Sequence, residues 1–361
     1  MRITIPTIPL PTLSAAAKPR FYNAVDYQVA AEKLAAFLHP KNTLVLTGAG
    51  VSVDSGIRAY RGSDGHYSNP NYKPVLFQEL VSTGSKGHAF RQRYWSRSYL
   101  GYPPVRDAQP NPTHFAIAAL QYLGHAPKLV TQNVDGLHHK ASIFTPEETR
   151  RKILQLHGTL HMVHCGKRHA VDRMHFQDLL SRHNPAWKAF ADDMELTGNK
   201  PRTNPDGDVD IEGIKFDNFV VPDCEACLAE GVRNNVVKPD VVFFGESIPD
   251  EVREGSFTMV QECDRLLVVG TTLATFSAFR LVKMALEQRK PVMIVNLGPT
   301  RADEFPVEKV DMPSREVLVR ACKLLGGVRA SQDETLSRLL SSGVIQPPDI
   351  DDDDRSPRAA G

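Results

Sequence analysis

Cysteine is scarce in this chain, net charge is almost nil, and no long apolar run occurs. Five cysteines in 361 residues, Cys165, Cys224, Cys227, Cys263 and Cys322, are too few and too unevenly spaced for a secreted disulfide framework. Reduced thiols or a metal site are the readings left. Lys and Arg total 43 against 42 Asp and Glu, a formal charge of +1, which provides no global field for capturing nucleic acid or an anionic membrane. Partner choice then falls to a local site. The longest apolar segments (Thr43 to Leu46, Arg265 to Val269, Val292 to Val295) are strand-sized, far short of the run of about 20 residues that crosses a bilayer, so no membrane span is expected. Acidic side chains are absent before Asp26, whereas Arg2, Lys18 and Arg20 are present, the charge bias of a mitochondrial presequence. Pro6, Pro9 and Pro11 weaken the amphipathic helix such a signal forms, so 1–25 reads as either a presequence or a disordered terminus.

What is present reads as an ordinary globular chain, 41% hydrophobic and 24% charged, long enough for one large domain with an insertion or for two domains. Four strand-like runs, starting at Asn42, Lys128, Asp264 and Lys290, each close in a turn of small or polar residues. Helical spacing of apolar residues predicts helices over Tyr27 to Leu38, Asn111 to Leu123 and Ala274 to Gln288. Alternation of this kind predicts an α/β fold with a Rossmann-like, doubly wound parallel sheet, whose ligands bind beyond the C-terminal strand ends. The polar region 165–235 breaks the pattern and ends in the C-x-x-C of Cys224 and Cys227, so it reads as a small inserted module. The expected division is 1–25, 26–164 (first part of the nucleotide-binding domain), 165–235 (insert), 236–330 (second part) and 331–361, a partly disordered tail ending in an acidic run.

The Thr47-Gly48-Ala49-Gly50-Val51-Ser52 turn directly after an apolar strand suits a pyrophosphate, because glycines allow close backbone approach and helix-start amides face the negative charge. A structural turn explains the same residues by itself. Further motifs decide the matter: Ser55-Gly56-Ile57-Arg58-Ala59-Tyr60-Arg61, Thr131-Gln132-Asn133-Val134-Asp135, Leu156-His157-Gly158, Lys238-Pro239-Asp240 running on to Glu246, Gly270-Thr271-Thr272-Leu273 and Asn296-Leu297-Gly298. In this order and spacing the chain resembles the sirtuin family over roughly Ala30 to Leu325. Arg91 to Arg97, Gln109 to Pro112 and Gly298 to Arg301 point to its class II, sirtuin-four-like branch, which is mitochondrial and implies the matrix.

The resemblance implies an NAD-dependent protein deacylase that consumes NAD, acts on acyl-lysine proteins and yields nicotinamide, free lysine and O-acyl-ADP-ribose. Protein mono-ADP-ribosyl transfer and non-catalytic NAD or ADP-ribose sensing stay open as alternatives. His157 is the implied general base, suited by a near-neutral imidazole, with Asn133 and Asp135 also implied in catalysis. NAD contacts are implied for Gly48, Ala49, Gly50, Ser52, Gly56, Ile57, Tyr60, Arg61, Gln132, Asn133, Asp135, Gly270, Thr271, Thr272, Asn296, Leu297, Gly298 and Ser314. Val242, Phe243, Phe244, Gly245 and Glu246 are implied to offer backbone to an extended acyl-lysine peptide.

Two departures stand out. Arg58 and Ala59 replace the family's Pro-Asp, and that Asp helps bind the nicotinamide carboxamide. The family's structural zinc uses two C-x-x-C pairs, whereas here Arg168 stands at one thiolate position. A Cys3His set of Cys165, Cys224, Cys227 and His169 is the expected zinc site, with His164 as a rival fourth ligand. Cys263 and Cys322 read as buried small hydrophobes. Tyr94 and Arg97 have the spacing of family members selecting acidic acyl groups, or else are structural. No segment specifies the acyl chain or an oligomeric state.

Overall fold

The computed structural model describes residues 22–60, 75–197, 209 and 216–347. The expectations for Arg61, for the acidic end, for most of 1–25 and for most of the polar stretch between Thr197 and Asp210 therefore lie outside the described residues. Helix α1 (Ala24–Leu38) opens on a capping box between Asn23 and Asp26 and leads into β1 (Thr43–Thr47). After the glycine turn come a 3-10 helix (Ala49–Ser55), α2 (Phe77–Val81), α3 (Ser85–Asp107) and α4 (Pro112–Tyr122). Next are β2 (Lys128–Thr131), α5 (Leu137–Ala141), α6 (Pro146–Lys152), β3 (Ile153–Gln155), β4 (Gly158–Cys165) and β5 (Ala170–Asp172). Helices α7 (Arg173–His183), α8 (Pro185–Thr197) and α9 (Glu225–Ala229) precede β6 (Val237–Val241). The chain finishes with α10 (Asp250–Glu262), β7 (Arg265–Val269), α11 (Phe276–Glu287), β8 (Val292–Val295), β9 (Glu308–Val310), α12 (Ser314–Gly326), α13 (Arg329–Gln332) and α14 (Glu334–Ser341).

Six parallel strands form the main sheet in the order β3-β2-β1-β7-β8-β9, the doubly wound arrangement expected. The apolar runs are buried on both faces, and period two sorts their side chains. Val45, Leu129, Leu267, Val269, Met293 and Val295 join α1, α4, α12 and α14 on one face. Leu44, Leu46, Val130, Leu266, Val268 and Ile294 join α10 and α11 on the other. Strand order reverses between β1 and β7, and a crevice opens beyond the carboxyl ends of strands at such a switch point. The glycine turns after Thr47 and Val269 both fall there.

A second core covers an antiparallel sheet, β5-β4-β6. It is larger than 165–235: its sheet starts at Gly158 and ends at Val241, and α2 and α3 supply Leu80, Tyr94, Trp95 and Tyr99. Trp95 packs against Phe176 with ring centroids 4.7 Å apart and planes tilted by 59°, and its indole N–H donates to the Val237 carbonyl at 2.9 Å. Burying such aromatics contributes more than their modest number suggests, so α3 belongs energetically to the small sheet. The expected tail from 331 needs correction as well. Helix α14 buries Leu336, Leu339 and Leu340 in the main core, and the amides of Val344 and Gln346 donate to Pro110 and Asp54 carbonyls. Its leucines at i, i+3 and i+4 make one apolar face, which a polar flank hides in the sequence. No helix among the described residues is long and apolar enough to cross a membrane.

Candidate active site

The turns after β1 and β7 touch each other directly. Gly48 N–H donates to the Val269 carbonyl at 3.2 Å and Gly50 N–H to the Gly270 carbonyl at 2.9 Å. A Cβ on Gly50 would lie 2.8 Å from the Gly270 oxygen, and one on Gly48 would lie 2.6 Å from Thr271 Cβ. Glycine is thus required here by loop-on-loop packing, before any ligand is considered. The Gln132 amide ties the turns together, donating at 3.1 Å to the Thr47 carbonyl and to Thr271 Oγ1 while its oxygen accepts from Thr275 Oγ1 at 3.1 Å.

A cleft opens beside this junction, lined by Ala49, Ser52, Ile57 and Tyr60 from the first loop and by Gln132, Asn133, Val134 and Asp135 from the end of β2. Ser52 Oγ donates to Asp135 Oδ2 at 2.7 Å and accepts from Asn133 Nδ2 at 3.1 Å. Burial raises the Asp135 carboxyl, while donation from the Leu137 amide and from Ser52 works against that. Gly56, at φ 84°, ends the 3-10 helix. Thr272 accepts the Arg301 amide through its carbonyl. Asn296 Nδ2 donates to the Leu297 and Gly298 carbonyls at the end of β8, and Leu297 is exposed. Ser314, at the start of α12, shares a hydrogen bond of 3.1 Å with Thr113 on α4.

Only Leu156 and His157 separate β3 of the large sheet from β4 of the small one. Gly158 makes the turn at φ 80°, where a Cβ would stand 1.9 Å from the Asp240 oxygen, so the residue after the histidine has no alternative. His157 is half-buried, with Nδ1 3.2 Å from the Gln132 carbonyl and Nε2 2.8 Å from Ser277 Oγ. Burial pushes its imidazole down to about 4, with the Gln132 carbonyl pulling the other way. The Val242 amide donates to the His157 carbonyl at 2.9 Å, which seats the 242–246 segment beside it. Phe243 is buried edge-on to Tyr94 at 5.5 Å. Phe244 pairs in parallel with Leu76, its carbonyl accepting the Phe77 amide, and the Gly245 carbonyl accepts from Gln78. Part of this segment's backbone therefore already serves α2. Arg97 Nε donates to the Val209 carbonyl at 2.6 Å, and Tyr94 is buried in the second core.

The sequence analysis assigns no role to His114, His138 or Ser277, and it names Lys238 only as part of a motif. His114 and His138 are buried with rings 4.7 Å apart under the cleft. His138 Nε2 lies 3.0 Å from Thr47 Oγ1, whose own proton goes to Thr131 Oγ1, and His114 Nε2 lies 3.5 Å from Ser52 Oγ. The buried Lys238 pairs with Glu246 at 3.1 Å and donates to the Val241 carbonyl at 2.9 Å, bracing the 242–246 segment from below. The available signal was the polar-in-apolar setting of His114 within a helix capped by Asn111.

Burial pushes His114 down to about 3 and, with the neighbouring His114 and His139, holds His138 well below the ordinary range. Unfolded imidazoles bind protons below about pH 6.5, so protons favour the unfolded chain and the stability present above that pH is lost as pH falls toward 4. A fully neutral histidine costs about 1.4 kcal/mol per pH unit in this window, and half-buried His157 costs less. Asp135, raised by burial, has the opposite sign. The urea midpoint is expected to fall between pH 7 and pH 5, and to fall less in His114→Gln; equal slopes in the two proteins would overturn this account.

The Sir2 family pattern matches residues 48–277. The chain belongs to the Sir2 family, the sirtuins. It is 43% identical over 295 residues to the NAD-dependent protein deacylase SIR4 of Batrachochytrium dendrobatidis, covering 80% of this chain and 92% of that one. It is 39% identical over 290 residues to the NAD-dependent protein deacylase Sirt4 of Drosophila melanogaster, covering 80% and 85%. These relatives bear out the likeness to the sirtuin-four branch. Among solved structures, one described by the mechanism and regulation of Sir2 enzymes is 27% identical with a TM-score of 0.58, over 84% of this chain and 100% of the other. A Sir2 complex with a p53 peptide and NAD+ is 22% identical with a TM-score of 0.58, over 82% and 98%, a likeness of fold alone.

This sirtuin departs from the four-thiolate zinc pattern, and its geometry accommodates the change. The donor atoms of Cys165, His169, Cys224 and Cys227 all lie within 4.8 Å of one another. Cys165 Sγ is 3.8 Å from Cys227 Sγ, and His169 Nδ1 is 3.4 Å and 3.7 Å from the sulfurs of Cys227 and Cys224. Tetrahedral zinc with Zn–S of about 2.3 Å and Zn–N of about 2.0 Å requires edges of this size. Arg168 adopts φ 68°, turning the chain after Cys165 so that the next residue, His169, takes the missing position. Glu230 Oε1 lies 3.3 Å from His169 Nε2, which leaves Nδ1 free to ligate. Burial opposes ionisation of Cys165, but the amides of His169 and Lys167 and the other two thiols hold it below the ordinary thiol range. His164 faces Asp240, Lys238 and Arg168 and stands outside the cluster. Four protein ligands close the site, so the metal is structural. Cys263 and Cys322 are buried away from it.

Proposed function

We propose that this sirtuin removes acyl groups from protein lysine, yielding nicotinamide, deacylated lysine and O-acyl-ADP-ribose. One observation carries the reading: His157, anchored through Nδ1 on the Gln132 carbonyl, keeps Nε2 as its proton acceptor and joins the cleft-lining end of β2 to the 242–246 segment. NAD supplies a glycosidic bond whose cleavage drives opening of the stable acyl amide. Gly48, Ala49, Gly50, Gly270, Thr271 and Thr272 would cradle its phosphates, and Asn133 and Asp135 would hold the nicotinamide ribose by paired donors and acceptors. Asn296 to Gly298 and Ser314 would take the adenosine end. His157 Nε2 would accept the proton of a ribose hydroxyl, the electron pair staying on oxygen. The backbone of 242–246 would bind the substrate peptide where α2 leaves it open.

Ala59 lacks the carboxylate that serves the carboxamide in relatives, a loss of about 1.5–3 kcal/mol of charged hydrogen bonding if no neighbour replaces it. Slow turnover, or sensing without turnover, is the reading this one residue favours. Purified protein with NAD and a panel of acyl-lysine peptides distinguishes the cases: O-acyl-ADP-ribose by mass supports deacylation, label on an acceptor protein supports ADP-ribosyl transfer, and tight NAD binding without products supports a sensor. Location in the mitochondrial matrix is proposed on the basic, acid-free start before Asp26 and on the branch likeness. A reporter carrying 1–25 that stays cytosolic would remove that support.

A further inference from the structure

Ser277 touches the base of the proposed reaction, and its role follows from which nitrogen holds the ring proton. The Gln132 carbonyl only accepts, so Nδ1, 3.2 Å away, carries the hydrogen. A neutral imidazole then keeps its lone pair on Nε2, and the group at 2.8 Å from it is the Ser277 hydroxyl, which must donate. The nitrogen needed as acceptor thus already has a hydrogen-bond partner within the protein. Ser277 is the second residue of α11, and neither it nor the preceding cap serves the helix start. Thr275 makes no capping bond and gives its hydroxyl instead to Gln132 Oε1 at 3.1 Å. The opening of α11 therefore turns two hydroxyls toward the site, and the partial positive charge of its amides disfavours a charged imidazole nearby.

We propose, resting on the deacylase reading above, that Ser277 is a positioning residue for His157. Its hydroxyl holds the ring in the Nδ1–H form and yields Nε2 to the incoming ribose hydroxyl. The ribose proton passes to Nε2 with its electron pair left on oxygen, and Ser277 keeps its own proton throughout. The ionisable groups on the packed elements are engaged elsewhere. On β4, His161 binds Tyr102 and the Asp135 carbonyl; on β6, Asp240 faces His164 and Lys238 pairs with Glu246. On α11, Arg280 lies over Phe257, and beyond β2 Asp135 accepts from Ser52. Among the described residues no charged side chain contributes to the depressed basicity of His157; burial lowers it and the Gln132 carbonyl opposes that.

The test titrates the protein alone by side-chain histidine NMR, identifying the His157 signal as the one missing in His157→Ala. Losing a neutral hydrogen bond to Nε2 is expected to raise the His157 midpoint in Ser277→Ala by about half to one pH unit. The hydroxyl-retaining Ser277→Thr is expected to titrate like the wild type. The acid limb of kcat/KM should move by the same amount in Ser277→Ala and stay in place in Ser277→Thr. Wild-type titration in Ser277→Ala overturns the proposal, as does an equal shift in Ser277→Thr. A wild-type enzyme that releases no nicotinamide while the NMR shift appears would sink the deacylase reading and leave the Ser277–His157 pairing intact.

Discussion

His157→Ala is expected to lower the maximal rate of acyl-peptide-dependent nicotinamide release and O-acyl-ADP-ribose formation by about 10²- to 10⁴-fold, the range for loss of a positioned general base. NAD binding should change little. The cleft is lined by Ser52, Asn133 and Asp135, which bond to one another, and His157 Nδ1 meets it at the Gln132 backbone carbonyl. Rapid-mix assays at saturating NAD, with binding followed separately by calorimetry, separate the two effects. A variant within threefold of the wild-type rate would remove His157 from the chemistry. Loss of NAD affinity matching loss of rate would instead mark it as a structural histidine at the junction of the two sheets. Because burial holds the imidazole down to about 4, the acid limb of kcat/KM should lie well below pH 6, once losses to acid unfolding are corrected.

Removal of zinc is expected to have the second large effect, on stability rather than rate. Structural zinc contributes on the order of 10–16 kcal/mol in small finger peptides; even a third of that lowers Tm by about 7–20 °C at roughly 2–4 °C per kcal/mol. The effect should be confined first to the small unit, since Cys165 ends β4 and Cys224 and Cys227 frame the start of α9. Calorimetry before and after chelation reads the loss, and metal analysis of the variants assigns the ligands. His169→Ala and Cys227→Ala should each lose the metal, whereas His164→Ala should keep it. Arg168→Cys should also keep it, by restoring the family's second thiolate. Metal lost from His164→Ala and retained by His169→Ala would exchange the two histidines and contradict the geometry described.

The legible parts of this protein share a property: their signal is local. The four apolar runs are recognisable because a strand buried on both faces is apolar throughout, and Leu44 to Thr47 or Leu266 to Val269 carries that burden alone. Their closing turns are recognisable because Gly48, Gly50 and Gly270 meet too closely for any Cβ. His157 and the metal ligands were legible through resemblance, helped by Gly158 and by the C-x-x-C spacing. Less legible were α3 and α14. The first enters the sequence reading only as the Arg91 to Arg97 motif, yet Trp95, Tyr99 and Tyr102 are buried in a core assembled from residues far along the chain. The second reads as a polar tail, yet three leucines seat it on α4.

By itself the sequence determined four of the main sheet's six strands, β1, β2, β7 and β8, the glycine turns and the identity of the chemical groups, since each depends on neighbours within a few residues. Only the tertiary structure decided that the strands run β3-β2-β1-β7-β8-β9, which puts the turns after β1 and β7 in contact, and that His169 rather than His164 completes the metal set. It also decided that two neutral histidines lie beneath the cleft and that Ser277 faces the base from a helix 120 residues away. Those features rest on pairings between distant segments and on burial, which changes what an imidazole or a thiol does without changing a single letter of the chain.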